Sequence, residues 1–242
     1  MHDHLCDLSV IIPVHNDEMN LKRFYGMLEI ELQSITSNYE IIFVDNESKD
    51  GTFRYLCNLR DSNKRVKLIK LANNFGLPKA ITAGMDHSCG DVMVIMDAGL
   101  RYLPKDILAL LEPIQAYDVP MTVGNLIPDK RVYNRAYFKL KRSILMLFGK
   151  NQTSLYNPGI FRAITRTAYN TIKSNPLLTG TAFCRIRKAK IDFLTIDIIR
   201  KIPGADLMRK LRMNWAEFVA NLGWGRSNPQ NNPNYKIDKI IG

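Results

Sequence analysis

The chain has only four cysteines, at positions 6, 57, 89 and 184, and no two of them form a Cys-x-x-Cys pair. That spacing gives no zinc ribbon and no disulfide framework, so reduced structural thiols are expected. The chain also has no run near the roughly 20 apolar residues that a membrane-crossing helix needs. Its first residues include His2, Asp3, His4 and Asp7 and lack the basic-then-apolar order of a secretory leader. We therefore expect a cytoplasmic protein, either free or peripheral on the inner face of a membrane. No Gly-x-Gly-x-x-Gly follows the first apolar run and no Gly-x-x-x-x-Gly-Lys-Ser/Thr occurs anywhere, which disfavours dinucleotide and P-loop binding. The last absence is of one sign of charge: Lys130 through Ile191 contains no Asp or Glu.

The net charge of +11 is unevenly spread. Residues 1–128 carry 12 Lys/Arg against 17 Asp/Glu, a net of −5, whereas residues 129–242 carry 22 against 6, a net of +16. The basic half is the part that should meet an anion. It shows no recognised nucleic-acid reader motif, so nucleic acid is not an expected partner.

Leu8 to Val14 reads as a first strand, with Asn16 as the N-cap of a helix from Asp17 to Ser34 on which Leu21, Phe24, Tyr25, Leu28 and Leu32 recur at helical spacing. Tyr39 to Val44 is a second strand running into Asp45, and the turn to Thr52 feeds a second helix. Val66 to Leu71 is a third strand, Pro78 opens a helix, and Val92 to Met96 is an unbroken apolar strand that ends at Asp97. A helix over Lys105 to Ile114 and a strand over Val119 to Val123 follow. Strands alternating with helices imply a mainly parallel sheet covered on both faces. Asp45 and Asp97 then lie on one sheet edge, where α/β proteins place sugar or nucleotide ligands. Beyond 125 the rhythm breaks: Tyr133 to Phe148 can form a cation-rich helix, Gly159 to Ile164 and Ile191 to Ile196 can be strands, and Asp206 to Leu222 is amphipathic. That last helix can lie on a membrane or against the domain.

Four segments together resemble a known family: Val10-Ile-Ile-Pro-Val-His-Asn-Asp17, Ile41-Ile-Phe-Val-Asp-Asn-Glu-Ser-Lys-Asp-Gly-Thr52, Asn74-Phe-Gly76 with Ala83-Gly84, and Gly90-Asp91 through Met96-Asp97-Ala98. Their order and spacing resemble the GT-A glycosyltransferases, specifically the inverting nucleotide-sugar family that includes dolichyl- and undecaprenyl-phosphate sugar transferases. The resemblance implies a GT-A (Rossmann-like) α/β fold, a mostly parallel sheet flanked by helices, with a basic C-terminal acceptor region. It divides the chain into a nucleotide-sugar-binding half at 1–125, an acceptor-binding half at 126–225 and a loop or tail at 226–242. It implies that Pro13, His15 and Asp17 line the base and ribose of a nucleotide-sugar donor, that of a UDP-sugar, with Asp45 accepting from the base and Asp97 at the catalytic diphosphate site.

The family's Asp-x-Asp pair, which holds a divalent metal, appears here as Asp97 and Gly99, with Arg101 two residues on where Gln is usual. One carboxylate can hold Mg²⁺ or Mn²⁺ only weakly. A guanidinium binds a diphosphate bidentately, so Arg101 can take the metal's electrostatic role in a metal-independent site. The acid-free stretch bears on the acceptor. Transfer to a hydroxyl needs a general base, whereas a lipid phosphate is already anionic and needs cations. Arg131, Arg135, Lys139, Arg142 and Arg162, with Ser143, are the candidates for binding a polyprenyl phosphate; a glycan acceptor would need Asp192 or Asp197 to fold back as base. A reading from another class is a catalytically silent GT-A protein that binds a nucleotide sugar or a partner glycosyltransferase.

Overall fold

The structure, a computed structural model, describes residues 7–99, 101–128, 160–175, 180–182, 186, 189, 191, 193–200 and 236–241. The chain alternates β1 (Leu8–Val14), α1 (Glu18–Ile35), β2 (Tyr39–Asp45), α2 (Thr52–Ser62), β3 (Val66–Leu71), α3 (Leu77–Asp86) and β4 (Val92–Ile95). A short 3₁₀ turn (Pro104–Asp106) leads into α4 (Ile107–Tyr117), followed by β5 (Met121–Pro128), β6 (Arg162–Thr165), α5 (Arg166–Ser174), β7 (Leu194–Arg200) and β8 (Ile237–Ile241). Among the described residues all eight strands join one sheet in the order β7-β5-β6-β4-β1-β2-β3-β8. β1 pairs in parallel with both β2 and β4, β2 with β3, and β5 with β7, while β6 and β8 run antiparallel to their neighbours.

Alternation along β1 sorts side chains to the two faces. Val10, Ile12 and Val14 enter a core with Leu21, Phe24 and Leu28 of α1, Leu56 of α2, and Ile107, Leu110 and Leu111 of α4. Ile11 points the other way, into a core with Ala80, Ile81, Ala83 and Met85 of α3 and Tyr169 and Ile172 of α5. α3 approaches β1 closely because Gly84 lacks a side chain: a Cβ there would overlap Ile11 Cγ2. The edge opposite the strand C-termini is tied by buried Glu40 of β2, which accepts from Ser9 Oγ (2.6 Å) and the Cys89 N–H (2.6 Å) and pairs with Lys67 Nζ (2.6 Å).

Two local expectations differ from the structure. α1 is capped at Asp17, not Asn16, and with no side-chain cap bond, because Asn16 is held in the left-handed region (φ 55°) by the neighbouring loop. The stretch 226–242, expected as loop or tail, contains β8, which adds antiparallel to the edge strand β3. Its Ile-Asp-Lys-Ile-Ile sequence has no clean alternation, and the open edge of β3 supplies the hydrogen bonds that order it. Strands β6 and β7, from beyond residue 125, belong to the same sheet as the first half. The cation-rich helix expected over Tyr133 to Phe148 and the amphipathic one over Asp206 to Leu222 lie outside the described residues. Among the described residues no helix is long and apolar enough to cross a membrane.

Candidate nucleotide site at the strand C-termini

The chain builds β1, moves outward through β2 and β3, and then returns to place β4 on the other side of β1. The loops after β1 and β4 therefore diverge in opposite directions and leave a crevice at their C-terminal ends, the place where open α/β sheets bind ligands. Residues 15–17 form one wall and Asp97 with Arg101 the other.

Three consecutive loops are laced together beside this crevice. Ser48 Oγ accepts from the Asn16 N–H (3.0 Å), Asn16 Oδ1 accepts from the Lys49 N–H (2.8 Å), and Thr52 Oγ1 accepts from the Asp17 N–H (2.9 Å). Asn46 Nδ2 donates to Asn74 Oδ1 (2.8 Å) while Asn46 Oδ1 accepts from the Phe75 N–H (3.0 Å). Glu47, at φ 66°, accepts the Asn74 N–H at 2.9 Å. Short polar side chains spent on backbone groups fix the loops without secondary structure. Pro13, His15, Asp17 and Asp45 are the site residues expected from the sequence; Asn46, Ser48, Thr52 and Asn74 lie in the quoted segments but are given no site role there. The signal was a dense Asn/Ser/Asp/Thr composition directly after apolar strands.

Asp45 ends β2 with no solvent exposure. Its Oδ1 accepts from the Ser48 N–H at 3.2 Å, whereas the buried Oδ2 has no hydrogen-bond partner among the described residues. Burial pushes its carboxyl above the usual range, against the bonds from Ser48 and the charge of Lys70. A buried carboxylate oxygen without a donor is costly and calls for one. His15 Nδ1 donates to the Asn46 carbonyl (2.9 Å), and Asn16 Nδ2 donates to His15 Nε2 (3.2 Å), which orients the ring next to Asp45. Pro13 is buried inside β1, opposite Val44, so it shapes the strand end from beneath.

On the same wall, Asp17 Oδ2 accepts the His15 N–H (2.9 Å). Burial raises the Asp17 carboxyl above its usual range, the His15 bond opposes this, and the negative charges of Asp97 and Asp50 add to the rise. Asp97 lies just past β4, and its Oδ2 is 3.7 Å from Arg101 Nη2.

Among the described residues no group of three or more His, Cys, Asp or Glu side chains is arranged to hold a metal ion. Among the described residues the donor set at the end of β4 is one carboxylate, Asp97, beside the Arg101 guanidinium, a set poor in ligands for a divalent cation. Arg162 begins β6 opposite Ile95, at the same sheet edge, where it is buried and its guanidinium pushed down to about 10 by that burial. Asp197 is exposed and accepts from Asn125 Nδ2 (2.9 Å), farther along the same edge on β7. Arg131, Arg135, Lys139, Arg142, Ser143 and Asp192 lie outside the described residues.

The chain is 30% identical over 171 residues to an uncharacterised glycosyltransferase of Synechocystis, covering 70% of this chain and 54% of that one. It is 38% identical over 108 residues to a dolichol-phosphate mannosyltransferase of Pyrococcus furiosus, covering 45% of this chain and 30% of that one. It spans about half the length of the first of the curated relatives it matches. A mannosyltransferase of Pyrobaculum calidifontis, solved with GDP-Man and Mn²⁺, shares the fold with a TM-score of 0.55 at 17% identity, over 94% of this chain and 69% of that one. The family model described as glycosyl transferase family 2 matches residues 9–175, well over half of the sequence and all of the crevice just described. With its sheet order, its laced loops and its acidic strand ends in the places that match covers, the chain belongs to glycosyl transferase family 2.

Proposed function

We propose that this chain is a glycosyltransferase that takes a sugar from a nucleoside diphosphate donor, a UDP-sugar, and passes it with inversion to a polyprenyl phosphate. The observation that carries the donor half is the buried, unpartnered Oδ2 of Asp45. It suits a base that presents an N–H, as uracil and guanine do, and disfavours a base that presents a lone pair at that position. His15 beside it offers a flat ring to the base, Asp17 is available to the ribose, and the Arg101 guanidinium beside Asp97 supports a diphosphate at the end of β4.

Inverting transfer forms a bond from the acceptor oxygen to the anomeric carbon as the bond from that carbon to the β-phosphate oxygen breaks, and the nucleoside diphosphate leaves with the electron pair. A phosphate nucleophile carries no proton to be removed. Asp97 is paired with Arg101 and is not free to act as a base, which suits an acceptor that needs none. Arg131, Arg135, Lys139, Arg142 and Ser143, with Arg162 at the sheet edge, stand in the acid-free stretch that would hold that acceptor. The relative named dolichol-phosphate mannosyltransferase supports this acceptor class.

The test is transfer of radiolabel from a panel of UDP-sugars to undecaprenyl phosphate, read as label extracted into organic solvent. Label in the lipid phase that survives mild base and is released by mild acid is the expected result. Turnover of UDP-sugars onto a hydroxyl acceptor alone would overturn the acceptor assignment. Nucleotide binding without turnover would favour a silent binding protein, and binding of GDP in place of UDP would replace the donor.

A further inference from the structure

The Asp97–Arg101 pair contributes little to folding. The Arg101 side chain is 59% exposed and that of Asp97 17%, and at 3.7 Å between Nη2 and Oδ2 a half-exposed pair adds little to stability. Yet it stands at the C-terminal lip of the central strand β4, opposite Asp17, where the donor diphosphate of the proposed reaction would lie. A guanidinium has five N–H donors in a planar fork, and one edge turned to Asp97 leaves the others for phosphate oxygens.

Gly99 supplies an independent observation. Nothing in the backbone demands glycine there, since its φ is outside the left-handed region, and nothing crowds it. A Cβ at 99 would meet only the Asp97 carboxylate, at 3.6 Å. A second carboxylate would fit and is absent, while a cation is present. A divalent ion between two carboxylates and a guanidinium beside one carboxylate both sum to zero charge, so an incoming diphosphate meets the same net charge in either design.

The geometry points to Arg101 as the ligand for the donor diphosphate, with Asp97 as the residue that positions it, and to donor binding that needs no divalent metal. This rests on the nucleotide-sugar reading above. It is tested by calorimetric titration of UDP into the wild-type chain, R101Q and the double variant G99D/R101Q, each in EDTA and in Mn²⁺, with uridine binding followed by ligand-observed NMR. GDP and guanosine are run in parallel, and circular dichroism verifies folding. Wild-type affinity for UDP is expected to be unchanged by Mn²⁺. R101Q is expected to weaken UDP about tenfold or more while leaving uridine unchanged. G99D/R101Q is expected to recover UDP binding in Mn²⁺ only. Wild-type UDP binding that needs Mn²⁺, or R101Q binding UDP as the wild type does, would overturn the Arg101 assignment while uridine binding leaves the nucleotide reading standing. Failure of uridine and guanosine alike to bind would overturn the nucleotide reading and this inference with it.

Discussion

Replacing Asp45 by Asn separates what this residue does for binding from what it costs the fold. The wild-type carboxylate is fully buried, with Oδ1 on the Ser48 N–H at 3.2 Å and Oδ2 unpartnered among the described residues. An Asn can keep the Ser48 bond through its own oxygen, but it then turns an NH₂ toward the place where the base N–H should arrive. A charge-assisted hydrogen bond contributes about 1.5–3 kcal/mol, so D45N should weaken UDP by about tenfold to a hundredfold. The free protein should move the other way. Burial raises the folded carboxyl above its ordinary value of 3.8, so the folded state is favoured while the group is protonated and is penalised as pH rises through the raised value. At neutral pH the penalty is fully present in the wild type, and removing the charge should stabilise the protein by roughly 1–3 kcal/mol. The gain should vanish below the ordinary carboxylate value. Calorimetric titration with UDP and thermal melts at pH 7 and at pH 3.5 measure the two effects. A D45N protein that binds UDP as tightly as wild type and melts no higher at pH 7 would refute the reasoning.

Three further substitutions probe the scaffold beneath the site. Gly84→Ala places a methyl against Ile11 Cγ2 and, at 3.2 Å, Val44 Cγ2, and should cost about 1–3 kcal/mol, read as a lower urea midpoint. Glu40→Gln should cost about 1–3 kcal/mol at pH 7. Burial pushes the Glu40 carboxyl up, but its bonds with Lys67, Ser9 and Cys89 outweigh this and hold it below 4.5, so its contribution is present above that value and lost as pH falls through the lowered one. The difference in melting temperature between wild type and E40Q should therefore close in acid. Tyr102→Phe removes the bond from its hydroxyl to the Gly124 carbonyl (3.1 Å) and keeps the stack on Phe161 (4.6 Å between centroids), so it should lower stability by about 1 kcal/mol.

The alternation of apolar runs with amphipathic helices was enough to place β1 to β4 and α1 to α4, because each strand is buried on both faces and each helix has one apolar stripe. The acids at the ends of β2 and β4 were legible for the same reason: a charge ending a buried strand can only sit at its lip. What the sequence did not show is set by distant partners. β8 is ordered by the open edge of β3, and its own five residues, with two charges at the centre, carry no strand period. The roles of Asn46, Ser48 and Asn74 depend on three loops from separate parts of the chain meeting in space. Arg162 was legible as a cation inside an expected strand, Gly159 to Ile164, but not as a buried one, since Arg162-Ala-Ile-Thr is too short to reveal which side faces inward.

The central claim is that the crevice between β1 and β4 binds a nucleoside diphosphate, with the base on Asp45 and the diphosphate on Arg101. A crystal structure of the wild-type chain soaked with UDP tests it most directly. The account predicts the uracil N3 within hydrogen-bonding distance of Asp45 Oδ2, at about 2.9 Å, with a phosphate oxygen on the Arg101 guanidinium. UDP bound elsewhere, or bound in this crevice with Asp45 Oδ2 still unpartnered, would contradict it.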